Sequence, residues 1–258
     1  MNTDGVATHA VILAAGRGSR LGHLTDAKPK CLTMVTGRTL LDWMLSALFE
    51  AGIKCVLIVG GYGYESLESY RSSTVSIMRY AQWAETSMLG TLQVADAWLV
   101  AHPCLIAYSD IAILPAHLAT LRTANGDIVV ANNTRWQSLW TERFQAPLND
   151  AENFASHAGV LRNIGGHAAH VSEIGGQFMG LVKTTPKGWS DLSALMTVDP
   201  SLPRKGDTTQ LLARALDAGK LIHVVDCAGG WIEIDSESDL RAVERGIAKG
   251  NWAHDWRS

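Results

Sequence analysis

Through the first half of this chain, short apolar runs alternate with helical patterns, and that alternation restricts the fold more than any other feature. "AVILA", "IKCVLIVGG", "VSIMRY", "CLIAYSD" and "DIVVANN" read as strands. Between them, "LLDWMLSALFEAG" sets Leu41, Met44, Leu45, Leu48 and Phe49 on one helical face, with Gly52 as its C-terminal stop. A short polar helix near "YESLESYR" and a helix over "SMLGTLQVADAWLV" follow, and Pro115 suits the first turn of a third. Strands alternating with helices make right-handed crossovers. The expectation is therefore an α/β fold in three layers, its sheet mainly parallel but mixed, with helices on both faces.

After about residue 133 the pattern changes. "TRWQSLWTERFQAPLNDAENF" is aromatic and polar without clean periodicity, and "GVLRNIGGHAAHVSEIGGQFMGLVKTT" reads as two or three strands broken by glycine pairs. Helices return at "TTQLLARALDAG" and "SDLRAVERGIAKG", around the strands "LIHVVD" and "WIEID". Asp207 with Gln210, and Ser236 with Asp239, have the spacing of N-terminal caps. No repeat or low-complexity linker interrupts the chain, so one domain over residues 1–258 is expected, with residues 134–186 as a small inserted β region.

The balance of residue types excludes several classes. At 47% hydrophobic and 18% charged, 258 residues can bury a sizeable core. A net charge of −3 with no basic run argues against nucleic acid as a partner. No apolar stretch approaches a membrane span, and "MNTDGVAT" lacks the pattern of a secretory signal. Cys31, Cys55, Cys104 and Cys227 are too scattered for a zinc site and read as buried thiols of a reduced, cytoplasmic protein. A homo-oligomer is left open.

In open parallel sheets, ligands bind beyond the carboxyl ends of the strands. Gly16–Arg20, Gly60–Gly63, Ser109–Asp110 and Glu233–Asp235 all fall at such ends. "GRGSRLG" lacks the third-glycine spacing of a dinucleotide fingerprint, and no Gly-Lys-Ser/Thr makes it a P-loop. It still offers successive backbone N–H groups as an anion nest, with Arg20 as a bidentate fork. His167 and His170 are three apart but have no evident third ligand, and read as loop residues.

"LAAGRGSRLGHLTDAKPKCLTMV" resembles the signature of the nucleotidyltransferases that make nucleotide-activated sugars and alcohols. "LGTLQVA", "YSD" and "WIEIDSESDL" extend the likeness along most of the chain. "EIGGQFMGLVKTTPKGW" is most similar to the phosphocholine cytidylyltransferase branch. The resemblance implies a Rossmann-like nucleotidyltransferase fold. It also implies a reaction joining CMP from CTP to a small phosphorylated or phosphonate acceptor, with pyrophosphate released and Mg²⁺ as cofactor. By the same resemblance Arg20 and Lys30 are catalytic, and Asp110 and Asp235 hold the metal. Leu13, Ala14, Ala15, Gly16, Gly18, Ser19, Gln82, Gly90 and Thr91 would then line the nucleotide site. Lys183 and Glu173 are the candidates for the acceptor.

Two other readings compete. A sugar-1-phosphate nucleotidylyltransferase using UTP, dTTP or GTP suits "LGTLQVA" equally well. A non-catalytic, nucleotide-sugar-binding regulatory subunit would be expected to have lost Arg20, Lys30 or an aspartate, and all are present. Trp136, Trp140 and Trp189 raise the idea of an aromatic cage for an ammonium group, against their ordinary use as core residues.

Overall fold

The strand His9–Ala14 pairs in parallel with Cys55–Gly60 on one side and Cys104–Tyr108 on the other. This is the centre of a computed structural model that describes residues 5–257. Side chains alternate across the pleat, so Ile12 enters one core while Val11 and Leu13 enter the other. That period-two burial on both faces is why these runs read as nearly continuous apolar sequence.

Nine strands of the described residues form one sheet. Their spatial order is Val75–Arg79, Cys55–Gly60, His9–Ala14, Cys104–Tyr108, Gln177–Thr184, Ile128–Asn133, His223–Cys227, Val160–His167, Glu152–His157. Gln177–Thr184 runs antiparallel to both of its neighbours. The strands of the 134–186 stretch thus hydrogen-bond into the main sheet. The pairing of Gln177–Thr184 with Ile128–Asn133 slips between Phe178 and Val182. Gly180, at φ 69°, lies in the slip, and the Tyr108 ring packs where its Cβ would be. Such a bulge re-aims side chains at a sheet end.

One face is covered by the helix Leu40–Glu50, entered through a reciprocal Thr39–Asp42 capping box. It buries Leu40, Leu41, Met44, Leu45 and Leu48, whereas Phe49 turns outward and is 36% exposed. The other face carries Met88–Val94, Pro186–Val198 and Thr208–Asp217, whose Leu89, Leu92, Trp189, Leu211 and Leu212 fill the second core. The caps at Asp207 and Ser236 form as their spacing implies. Trp136–Arg143 is helical although its sequence lacks periodicity. No helix among the described residues is long and apolar enough to cross a membrane.

A short ribbon completes the frame. Ile111–Ile113 pairs antiparallel with Trp231–Glu233, and the Ile234 N–H donates to the Asp110 carbonyl at 3.0 Å. This ribbon brings the residue pair Glu233 and Asp235 to the end of the Cys104–Tyr108 strand.

Candidate active site

The glycine loop is a fixed structure. Gly18 adopts the left-handed conformation at φ 74°, and an added Cβ would meet Cβ, Cγ and Cδ of Lys30 at 2.7–2.9 Å. The 3-10 turn Ser19–Thr25 follows, anchored by the fully buried Leu21. The Thr25 hydroxyl donates to the Gly18 and Gly22 carbonyls. Gly18 therefore lets the Lys30 stem cross the loop and reach the strand ends.

The Lys30 ammonium donates to Asp110 Oδ2 at 2.6 Å and to Asp235 Oδ1 at 2.5 Å. Burial alone would lower its pKa, but Asp110, Asp235 and Glu233 outweigh burial and push it above its ordinary value. Arg20, largely exposed, donates to the same Asp235 oxygen at 2.9 Å. Asp110, Glu233 and Asp235 each present a carboxylate oxygen, all within 4.8 Å of one another. Burial, then the Asp235 charge, holds the Glu233 carboxyl well above the usual range. Burial also raises Asp235, but Lys30, Arg20 and Arg143 together leave its carboxyl below the usual range.

Behind the acids lies Arg143, its side chain only 2% exposed. It donates to Asp239 at 2.9 Å and to Glu233 at 3.4 Å, and its second terminal nitrogen stands 3.8 Å from Asp235. The guanidinium also packs over the Trp140 and Phe144 rings. Buried charge needs such pairing to be tolerated.

Two cavities meet at this cluster. One, of about 270 Å³, is lined by Leu13, Ala15, Gly16, Gly18, Lys30, Trp83, Thr86, Ser87, Met88, Thr91, Tyr108, Ser109 and Asp110. The other, of about 210 Å³, is lined by Tyr108, Trp140, Asp150, Glu152, Gln177, Phe178, Gly180, Asp207, Thr209 and Glu233. They share Tyr108, and of the acid trio Asp110 lines the first and Glu233 the second.

Most expected residues thus converge: Leu13, Ala15, Gly16, Gly18 and Thr91 line the first cavity with Lys30 and Asp110. Ala14 is buried in the strand end beside them, and Ser19 is exposed at the start of the turn. Four residues depart from expectation. Gln82 is exposed, its carbonyl accepting from Glu85 and Thr86, and the neighbouring Trp83 lines the cavity instead. Gly90 serves packing: its missing Cβ makes room for the Tyr80 hydroxyl, Thr86 and the Pro203 carbonyl.

Lys183 lies at the opposite end of the sheet, opposite Leu105. Fully buried, it donates to the Ala124 and Gly126 carbonyls. An antiparallel strand carries its last residues away from the acid cluster, so this lysine lines neither cavity. Glu173 is exposed, accepts from the Ala169 N–H, and lines neither cavity. Trp136 and Trp189 are core residues, while Trp140 alone of those three also lines the second cavity. His167 and His170 are exposed.

Arg143, Trp83, Asp150, Glu152 and Asp207 join the site without any sequence motif that marks them for it. Only the cap spacing of Asp207 gives a local signal, and that signal is structural.

Residues 10–171 match the family model of the MobA-like NTP transferase domain, and the chain belongs to that family. It is an enzyme of the nucleotidyltransferase class, with cytidylyltransferases among its relatives. The CTP:phosphoglutamine cytidylyltransferase of Campylobacter jejuni is 29% identical over 246 residues, covering 90% of this chain and 97% of that protein. The CMP-5'-(3-aminopropyl)phosphonate synthase of Streptomyces rubellomurinus is 26% identical, over 93% of this chain and 39% of its own length. The fold is that of the CTP:phosphocholine cytidylyltransferase from Streptococcus pneumoniae. The TM-score is 0.73 at 18% identity, covering 94% of this chain and all of that one.

Proposed function

We propose that this enzyme transfers a cytidylyl group from CTP to a small phosphorylated or phosphonate acceptor and releases pyrophosphate. The observation that carries the proposal is the pair of cavities that share Tyr108 and flank the acid trio, Lys30 and Asp110 lining one and Glu233 the other. The first cavity takes the nucleotide against the glycine loop, and the second takes the acceptor. The relatives that use CTP support the choice of nucleotide.

An acceptor phosphate or phosphonate oxygen is already anionic near neutral pH, so the attack needs no protein base. That oxygen forms a bond to the α-phosphorus as the bond from the α-phosphorus to the pyrophosphate oxygen breaks, in line. The barrier is charge repulsion and misorientation, which positioned cations lower. Lys30, which lines the first cavity, would bridge the α-phosphate and the acceptor, and Arg20 would offset the charge growing on the departing pyrophosphate. Hard oxygen donors suit a divalent cation such as Mg²⁺. Asp110 Oδ1, buried with no hydrogen-bond partner, fits this role alongside Glu233 and Asp235. Bound there, the ion would screen the negative charge of the phosphate oxygens.

The second cavity narrows the acceptor class. Asp150, Glu152 and Asp207 give it negative charge, and Trp140, Phe178 and Tyr108 give it aromatic walls. Burial pushes the Asp150 carboxyl up against the lowering effect of Arg143, and burial with the Asp207 charge pushes up that of Glu152. An acceptor with an amino or ammonium group answers that charge.

Initial rates of pyrophosphate release test the proposal, with each of four NTPs against phosphocholine, 2-aminoethylphosphonate, glycerol phosphate and glucose 1-phosphate. CTP is expected to exceed the other nucleotides by at least ~10-fold in kcat/KM, about 1.4 kcal/mol. The amine-bearing acceptors should exceed glycerol phosphate. Preference for UTP or dTTP with glucose 1-phosphate would overturn the cytidylyl assignment and leave the nucleotidyltransferase class standing.

A further inference from the structure

Lys30 stands where two cations have claims. Its ammonium holds Asp110 and Asp235 at 2.6 and 2.5 Å, and these acids belong to the one converging acid trio among the described residues. A divalent ion bound by any oxygen of that trio would lie close to the ammonium, in a setting where charges are poorly screened. The two cations therefore exclude one another.

The geometry gives the ammonium somewhere to go. The Lys30 stem is pinned over Gly18, but the residue also lines the nucleotide cavity, so its end can swing there on flexible methylenes. Glu233 and Asp235 need not follow. Buried Arg143 holds Glu233 at 3.4 Å and stands 3.8 Å from Asp235, while Asp239 fixes the other side of its guanidinium.

We infer that Lys30 is a place-holder cation at the metal seat, an inference that rests on the reading above. Lys30 and the divalent ion take the acid trio alternately. The triphosphate gives the displaced ammonium a new anionic partner, so nucleotide and metal bind with positive coupling. By linkage each tightens the other by the same factor. Metal alone binds weakly because it must evict a paired lysine that has no other anion to meet.

The test is Mn²⁺ binding to the full chain without nucleotide, read from the free-ion electron paramagnetic resonance signal. Lys30→Met should bind Mn²⁺ at least ~10-fold more tightly than wild type, about 1.4 kcal/mol. Lys30→Arg, which keeps the charge, should gain less than ~3-fold. A folded Lys30→Met that binds Mn²⁺ no more tightly than wild type overturns the inference.

A second measurement needs no methionine variant. The Lys30 ammonium resonance of ¹⁵N-lysine-labelled wild type, assigned by its loss in Lys30→Arg, should shift and exchange faster on adding Mg²⁺. An unmoved signal at saturating Mg²⁺ also overturns the inference. Wild-type turnover of CTP with no gain in Mn²⁺ affinity sinks the place-holder alone. A gain in affinity without any nucleotidyl transfer sinks the proposed function alone.

Discussion

Gly18→Ala is the most demanding single test of how the loop and Lys30 depend on each other. At φ 74° the alanine enters a left-handed conformation that costs L-residues roughly 1–2 kcal/mol. A domain of this size loses on the order of 2–4 °C in Tm per kcal/mol, so the strain predicts a fall of roughly 2–8 °C. The larger effect falls on chemistry. The new methyl would sit 2.7–2.9 Å from three carbons of the Lys30 stem, well inside contact distance, so the stem must shift. Misplacement of a positioned group by about 1 Å costs on the order of 10²-fold in rate. The expected loss in kcat/KM is therefore about 10²-fold, carried mainly by kcat. Gly16→Ala is the matched control. A Cβ at Gly16 would meet no heavy atom within 4 Å, and the φ there is not positive, so Tm should hold. Gly16 lines the cavity proposed for the nucleotide, so a methyl there should raise KM for the nucleotide while sparing kcat. Scanning calorimetry and initial-rate pyrophosphate release read both variants. Gly18→Ala with wild-type Tm and kcat/KM would refute the packing of Lys30 over the loop.

Four further outcomes follow from the same geometry. Asp110→Asn keeps the shape but removes a hard anionic donor, so it should need far more Mg²⁺ for half-maximal rate. EDTA should abolish wild-type activity and Mg²⁺ restore it, and full turnover without divalent cations would exclude the metal role of the acid trio. Arg143→Leu leaves Glu233 and Asp239 without their buried partner, a loss of about 3–5 kcal/mol that should lower Tm on the order of 10 °C by calorimetry. A shift under about 2 °C would show that the pair contributes little. Lys183→Met should leave KM for the acceptor within about twofold, because its ammonium serves two carbonyls at the far end of the sheet. A tenfold rise would return this lysine to the acceptor site.

Much of the frame was legible because it is written locally. Period-two burial marks a strand, a capping pair marks a helix start, and a glycine-rich turn after an apolar run marks a phosphate-sized nest. Resemblance to the nucleotidyltransferase signature, and no such local pattern, singles out Arg20, Lys30, Asp110 and Asp235, whose side chains meet in the fold. Phe49 shows the limit of a helical face read from spacing: it lies at the edge of the apolar stripe, and packing left it outside.

What only tertiary structure decided has one physical source, hydrogen bonding and packing between segments far apart in the chain. Nothing in "QFMGLVKT" states that it will run antiparallel between Cys104–Tyr108 and Ile128–Asn133, yet that direction sends Lys183 away from the site and brings Gln177 and Phe178 to it. Arg143 lies 90 residues from Glu233 and 96 from Asp239, in a stretch without periodicity, and its role exists only once the ribbon Ile111–Ile113 with Trp231–Glu233 has formed. Gly90 and Gln82 look alike as candidates until neighbours claim the space of one and solvent that of the other. Local sequence determined which residues could bear charge at a strand end; the sheet order determined which of those charges share one low-dielectric junction, where chemistry becomes possible.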